Sequence, residues 1–173
     1  METRNRDILF EGLVVDLEQM DVRIGEKGWH TYQVVRHPGG AAVLPLHDDG
    51  TVTLIRQLRP AVDAVMFEPP AGRLSPGEEP AAWGVRELAE ETGLVAGMLV
   101  PLGIIHPSPG VFDEVIHLFL ATRLVQVEAS QEDYEDIECV RVAFCDALTM
   151  ARDGRITDGK TIAALFRAEG IRS

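Results

Sequence analysis

Gly72-Arg-Leu-Ser-Pro-Gly-Glu78-Glu-Pro80-Ala-Ala-Trp-Gly-Val-Arg86-Glu87-Leu88-Ala-Glu90-Glu91-Thr-Gly93-Leu94 decides how this chain is read. As a pattern it is G-x5-E-x7-R-E-U-x-E-E-x-G-U, with U apolar, and every specified position is filled. At average residue frequencies such a match arises by chance about once in ten million chains of this size. Pro80 suits the first turn of a helix, where a missing N–H costs nothing, and Gly93 suits the position just past the end. Between them Ala81, Ala82, Val85, Leu88 and Ala89 recur at helical spacing and predict the apolar face.

On that helix Glu87, Glu90 and Glu91 fall at i, i+3 and i+4, so three carboxylates crowd one patch. Like charges at this spacing weaken a helix, and these stand toward the C-terminus, the wrong end for the macrodipole. An ordinary E-x-x-E-E run reads as a solvated acidic face. Embedded in the full pattern, the same run reads as a set of oxygen ligands for a hard divalent cation, which resolves the repulsion.

Composition bounds the alternatives. At 173 residues the chain is one domain by length, with 46% hydrophobic and 25% charged residues, as in ordinary soluble globular proteins. A formal net charge of −12 argues against a nucleic-acid-binding surface, which needs a basic stripe. It also opposes any polyphosphate substrate unless a metal and a few arginines intervene. No apolar run approaches the ~18 residues of a membrane span, and the start, Met1-Glu-Thr-Arg-Asn-Arg-Asp, lacks the apolar core of a signal peptide. Cys139 and Cys145 lie in a segment that reads as extended, which would hold them about 20 Å apart, beyond disulfide reach. Both are expected to be buried thiols in a cytoplasmic protein.

Along the chain, residues 8–36 read as β, with Gly25-Glu-Lys-Gly28 turning one hairpin. Residues 41–46 and 52–57 predict a second hairpin across His47-Asp-Asp-Gly50. Further strands are expected at 99–105, 115–121 and 137–144, and helices at 146–153 and 159–168, the last with Ile162, Leu165 and Phe166 on one face. Short strands with helices between and after them predict an α/β fold, a mixed β-sheet covered by helices.

The 72–94 pattern is that of the Nudix box, and the chain resembles a Nudix hydrolase. The resemblance implies an α/β/α sandwich over about residues 40–170, and water attack on a pyrophosphate linkage in a nucleoside diphosphate derivative. Residues 1–38 would be an appended β-hairpin extension and 39–173 the hydrolase domain. The metal would be Mg²⁺, with Mn²⁺ able to replace it, as two or three ions held by Glu87, Glu90, Glu91 and the Ala71 carbonyl. Arg86 would orient a box glutamate, Glu78 or Glu90.

Other landmarks resemble the ADP-ribose pyrophosphatase subgroup. Pro109, within Pro107-Ser-Pro-Gly110, lies fifteen residues beyond Leu94, and Arg56-Gln-Leu-Arg59-Pro60 precedes Phe67-Glu68-Pro-Pro-Ala71-Gly72. In that subgroup the N-terminal β unit is exchanged between two subunits, so a homodimer is implied. Arg59, with Arg36, would clamp the diphosphate. Glu68 reads either as a surface residue before a Pro-Pro turn or as a support for substrate and metal loop. Trp29 would stack on the base, although Trp29 and Tyr32 also suit simple packing. Glu114 matches the subgroup's loop acid, yet Val111-Phe112 stand where a polar neighbour is usual, which weakens the case for terminal-ribose recognition.

The general base is expected in the acidic segment Glu128–Glu138, at Glu135, with Glu132 in reserve; a solvated loop explains the other acids. The implied reaction is Mg²⁺-dependent cleavage of ADP-ribose to AMP and ribose 5-phosphate. The alternatives are another nucleoside diphosphate sugar of the GDP-mannose kind or an oxidised nucleotide. A non-catalytic nucleotide-sugar sensor fits less well, because the box is intact and no second domain is visible. The partners implied are a small nucleoside diphosphate derivative and a second copy of the chain, with neither nucleic acid nor membrane.

Overall fold

The computed structural model describes residues 1–75, 77–129 and 137–172. The chain divides into two compact units. The first comprises Met1–Gly39 and His106–Val115. Strands β1 (Thr3–Glu11), β2 (Asp16–Arg23) and β3 (Trp29–Arg36) form an antiparallel sheet in the order β1-β2-β3. Sequence reasoning placed the β region from residue 8; the strand begins at Thr3. A 3-10 turn at Gly25–Lys27 joins β2 to β3, and Gly28 takes φ +84°, a left-handed value that favours glycine.

Glu18 is buried on β2, where Arg6 and Arg36 both bind it. The hydrogen bond from Arg6, helped by Arg36 and opposed by burial, lowers its pKa to about 2. Arg36 also reaches Asp113 at 2.9 Å, and the Asp113 carboxylate accepts the His37 N–H at 2.8 Å. Backbone bonds from Val35 N–H to the Val111 carbonyl and from Asp113 N–H to the Val35 carbonyl complete the attachment of the 106–115 loop to β3.

The second unit comprises Gly40–Ile105 and Ile116–Ser173. Its strands are β4 (Gly40–Pro45), β5 (Thr51–Arg59), β6 (Ala64–Glu68), β7 (Ala71–Arg73), β8 (Leu94–Ile105), β9 (Ile116–Gln126) and β10 (Ile137–Ala143). Its helices are α1 (Pro80–Thr92), α2 (Phe144–Asp153) and α3 (Gly159–Arg172). One sheet has the order β7-β4-β9-β8, with β4 parallel to β9; the other has the order β10-β5-β6 and is antiparallel.

β4 is apolar and buried along its whole length, as expected of a strand covered on both faces. Ala41 and Val43 pack with Leu88 of α1 and with Leu94, Phe119 and Ala121. Ala42 and Leu44 point the other way, into a larger core shared with Leu54, Leu118, Ile156 of the α2–α3 connection and Leu165 of α3. Helices thus cover the mixed sheet on both sides, and the unit is the α/β/α sandwich expected.

Three expectations need correction. The 41–46 and 52–57 segments do not form a hairpin ladder: a single bridge, Leu46 to Val52, joins them before they enter different sheets. The edges of β4 are taken by β7 and β9, and those of β5 by β10 and β6. The buried face of α1 is not the alanine stripe, since Ala81 and Ala82 are exposed; it runs through Gly84, Leu88 and Glu91. Finally, Cys139 and Cys145 are free but exposed rather than buried. Cys145 lies in the first turn of α2, not in a strand. Among the described residues no helix is long and apolar enough to cross a membrane.

Gly84 explains the rotation of α1. A Cβ at this position would stand 2.8 Å from Val43 Cγ2, so the helix crosses β4 closer than any side chain permits. Gly84→Val is expected to lower stability by about 1–3 kcal/mol through overpacking, read as a shift in the urea unfolding midpoint at constant slope.

Candidate active site

The site is assembled where β6 turns into β7. Val43 N–H donates to the Pro70 carbonyl at 3.0 Å, and Ala71 and Gly72 pair with Ala42 and Ala41, so this short loop is held on β4. α1, docked on the same strand through Gly84 and Leu88, brings its second half to the loop. Pro80 opens the helix and Gly93 closes it at φ +67°, its N–H bonded to the Ala89 carbonyl at 2.9 Å.

Glu87 and Glu91, one helical turn apart, both turn toward the loop. Glu91 is buried, and its Oε2 accepts the Ala71 N–H at 3.0 Å. The Glu87 carboxylate packs on Gly72 so closely that a Cβ there would overlap it. Glycine at 72 is therefore a steric requirement of the carboxylate. Glu90 lies on another line of the helix, 42% exposed, with its carboxylate 4.0 Å from Arg86. Arg86 stacks over the Trp83 ring at 3.8 Å and stands 3.7 Å from Glu78, so it lies near both glutamates named for it.

Two carboxylates on a backbone loop make a hard, anionic oxygen set; the space that a Cβ at Gly72 would fill holds Glu87, and the Ala71 N–H holds Glu91. This donor chemistry fits a divalent cation of the Mg²⁺ type, which takes one or two carboxylates and fills its remaining positions with water and phosphate oxygens. Among the described residues no three His, Cys, Asp or Glu side chains converge as a metal cluster. Glu87, Glu91 and the backbone of the Ala71–Gly72 loop are the groups the structure brings together here, the Ala71 N–H donating to Glu91.

Beside them runs a buried ion cluster. Glu68, at the end of β6, is 1% exposed. Arg59 grips it with both arms, Nε to Oε1 and Nη2 to Oε2 at 2.7 Å each, while Lys160 of α3 also binds Oε2. Burial alone would push the Glu68 carboxyl up; the Arg59 hydrogen bond and the Lys160 charge outweigh it and hold the group below its ordinary value. Of the two readings left open for Glu68, the surface one is wrong. Sequence reasoning passed over Lys160 and Asp158 altogether. The available signal was a cation in the first turn of α3, the unfavourable end of the dipole, as with the glutamates of α1.

Trp29, Arg36, Pro109 and Glu114 belong to the N-terminal unit. There Arg4 covers the Trp29 ring at 4.2 Å, and Glu114 stands 3.4 Å from His37 Nδ1. Arg36 bridges Glu18 and Asp113. Glu132 and Glu135 lie outside the described residues.

The family model described as the NUDIX domain matches residues 36–165. The chain belongs to the Nudix family. It is 36% identical to an ADP-ribose pyrophosphatase of Bacillus subtilis (strain 168), over 95% of this chain and 90% of that one. It is 32% identical to a methanol dehydrogenase activator of Bacillus methanolicus over the same shares. A GDP-mannose pyrophosphatase of Salmonella arizonae is 37% identical over 79% of this chain and 76% of its own. The fold is matched by the crystal structure of an ADP compounds hydrolase, with a TM-score of 0.85 and 20% identity, over 98% of this chain and 92% of that one. This Nudix protein is thus a hydrolase of pyrophosphate bonds.

Gly72→Ala is expected to leave the fold in place while displacing the Glu87 carboxylate. Turnover should fall by roughly 10²-fold or more and Mg²⁺ binding should weaken, the first read by steady-state kinetics and the second by titration calorimetry.

Proposed function

We propose that this Nudix hydrolase cleaves ADP-ribose to AMP and ribose 5-phosphate with Mg²⁺, as a cytoplasmic homodimer. The observation that carries the substrate is the likeness to the Bacillus subtilis ADP-ribose pyrophosphatase along nearly the whole chain, including the N-terminal unit. Glu87 and Glu91, with Glu90 and the Ala71 carbonyl, would hold the metal. Bound there, Mg²⁺ supplies charge neutralisation for the diphosphate and a lowered pKa for a coordinated water.

The chain's own residues divide the remaining work. Arg59 keeps three N–H donors beyond the two that grip Glu68, and its side chain is 40% exposed, so it can meet a phosphate edge-on. Arg86, stacked on Trp83, steadies Glu78 and Glu90. Glu135 takes the proton from the attacking water, with Glu132 as the reserve. Arg36 supports the loop that carries Pro109 and Glu114, and these, with Trp29, are the N-terminal unit's candidates for the sugar and the base.

A second reading, a nucleoside diphosphate sugar of the GDP-mannose kind, is favoured by the Salmonella relative and by Val111-Phe112 beside Glu114. Turnover of ADP-ribose and GDP-mannose in Mg²⁺, with products separated by chromatography, decides between them. We expect kcat/KM for ADP-ribose to be at least about tenfold higher, a transition-state difference of roughly 1.4 kcal/mol. The opposite order would establish the second reading.

The base is tested separately. Glu135→Gln should lower kcat by about 10²–10⁴ with KM and Mg²⁺ dependence nearly unchanged, and Glu132→Gln should be close to silent. Exchanged effects would move the base to Glu132; two silent variants would remove it from the segment.

The dimer is supported by apolar side chains exposed on the N-terminal unit, among them Ile8, Leu9, Phe10, Leu13 and Val14. Sedimentation at micromolar concentration should give a dimer, and deletion of residues 1–36 should abolish both dimerisation and substrate binding. An active monomer would refute the assignment.

A further inference from the structure

We propose that Lys160, acting through the Glu68 carboxylate, is a positioning residue for Arg59 and fixes the direction in which that arginine presents its remaining donors to the diphosphate. The inference rests on the reading that Arg59 contacts the substrate.

A buried carboxylate needs more than one partner. Glu68 is 1% exposed, and Arg59 alone would give each of its oxygens a single donor. Lys160 gives Oε2 a second donor, and its side chain is itself only 13% exposed. It is held in turn by Asp158 Oδ1 at 2.9 Å. The other oxygen of Asp158 accepts the Thr161 N–H at 2.8 Å and its hydroxyl at 2.5 Å, and that hydroxyl oxygen lies 3.1 Å from the Phe67 carbonyl. The start of α3 is thereby locked to the end of β6, next to Glu68.

The result is a chain of contacts from Asp158 through Lys160 and Glu68 to Arg59. Three donors, two from Arg59 and one from Lys160, fix the Glu68 carboxylate, and a bidentate guanidinium favours the carboxylate plane. Arg59 is therefore aimed by a lysine on another element. The hydrogen bonds that Arg59 donates to Glu68, opposed by burial and helped by the charges of Glu68, Asp158 and Glu91, raise the Arg59 pKa.

Deleting the lysine alone would leave two carboxylates facing each other in a buried site, so the test removes it with its counter-ion. Asp158→Asn with Lys160→Met takes out one charge of each sign, and Asn still accepts the Thr161 N–H. KM for ADP-ribose should rise about tenfold while kcat and Mg²⁺ dependence stay within about threefold, the signature of a lost ground-state contact. The rise should vanish when Arg59 is already alanine, because the lysine acts only through the arginine. Lys160→Gln with Asp158→Asn, which removes the same two charges but keeps a donor to Glu68, gives the same cycle should the Met variant melt below assay temperature.

Three outcomes separate the possibilities. If Arg59→Ala raises KM and the lysine variants raise it only when Arg59 is present, the proposal stands. If Arg59→Ala raises KM but the lysine variants leave it unchanged, or add their full effect in both backgrounds, the role of Lys160 is overturned and that of Arg59 survives. If Arg59→Ala leaves KM unchanged, the arginine does not clamp the substrate and both statements fall.

Discussion

The Glu87 carboxylate occupies the space that Gly72 leaves by having no side chain, and the placement of the charges on α1 depends on that contact. A second glycine makes it reachable. Gly84 lets the helix lie against Val43 of β4, so the next turns arrive at the loop that β4 also carries. One buried strand thus registers both halves of the site, the loop through backbone pairing and the helix through side-chain packing. Glu91, bonded to the Ala71 N–H, belongs to both at once.

The sites on this unit share a physical logic. Charges stand where their own secondary structure disfavours them: glutamates in the latter half of α1, and a lysine in the first turn of α3. Glu91 and Lys160 are met by Ala71 and Glu68 from distant parts of the chain, while Glu90 has Arg86 one turn away on its own helix. The helices alone would be better without these residues, so their presence is explained only by tertiary contacts and by what those contacts hold.

Much of α1 was legible in the sequence because its determinants are local. Pro80 and Gly93 mark the ends by backbone geometry alone, and the box pattern identifies the family without any knowledge of packing. The face that α1 buries was not legible: Ala81 and Ala82 are apolar and correctly spaced, yet a contact with Val43, some forty residues away, turns Gly84 inward instead. The same holds for β4 and β5, whose turn is obvious locally while their pairing depends on β6, β7, β9 and β10 competing for the edges. Lys160 was invisible for the most direct reason, since its meaning lies in a carboxylate more than ninety residues earlier.

The charge balance around Arg59 bears on encounter kinetics. Arg59, Glu68, Lys160 and Asp158 join two cations to two carboxylates, so at a distance their fields largely cancel. What an approaching anion feels beyond a few ångströms is then the remainder of a chain with a formal net charge of −12. Steering by this surface is repulsive, and attraction begins only at short range. Dissolved salt should accordingly quicken the arrival of a diphosphate by screening the repulsion, the reverse of an enzyme that guides anions down a basic funnel. An acidic protein of this kind trades capture speed at low ionic strength for an encounter rate that improves as the surrounding medium becomes saltier.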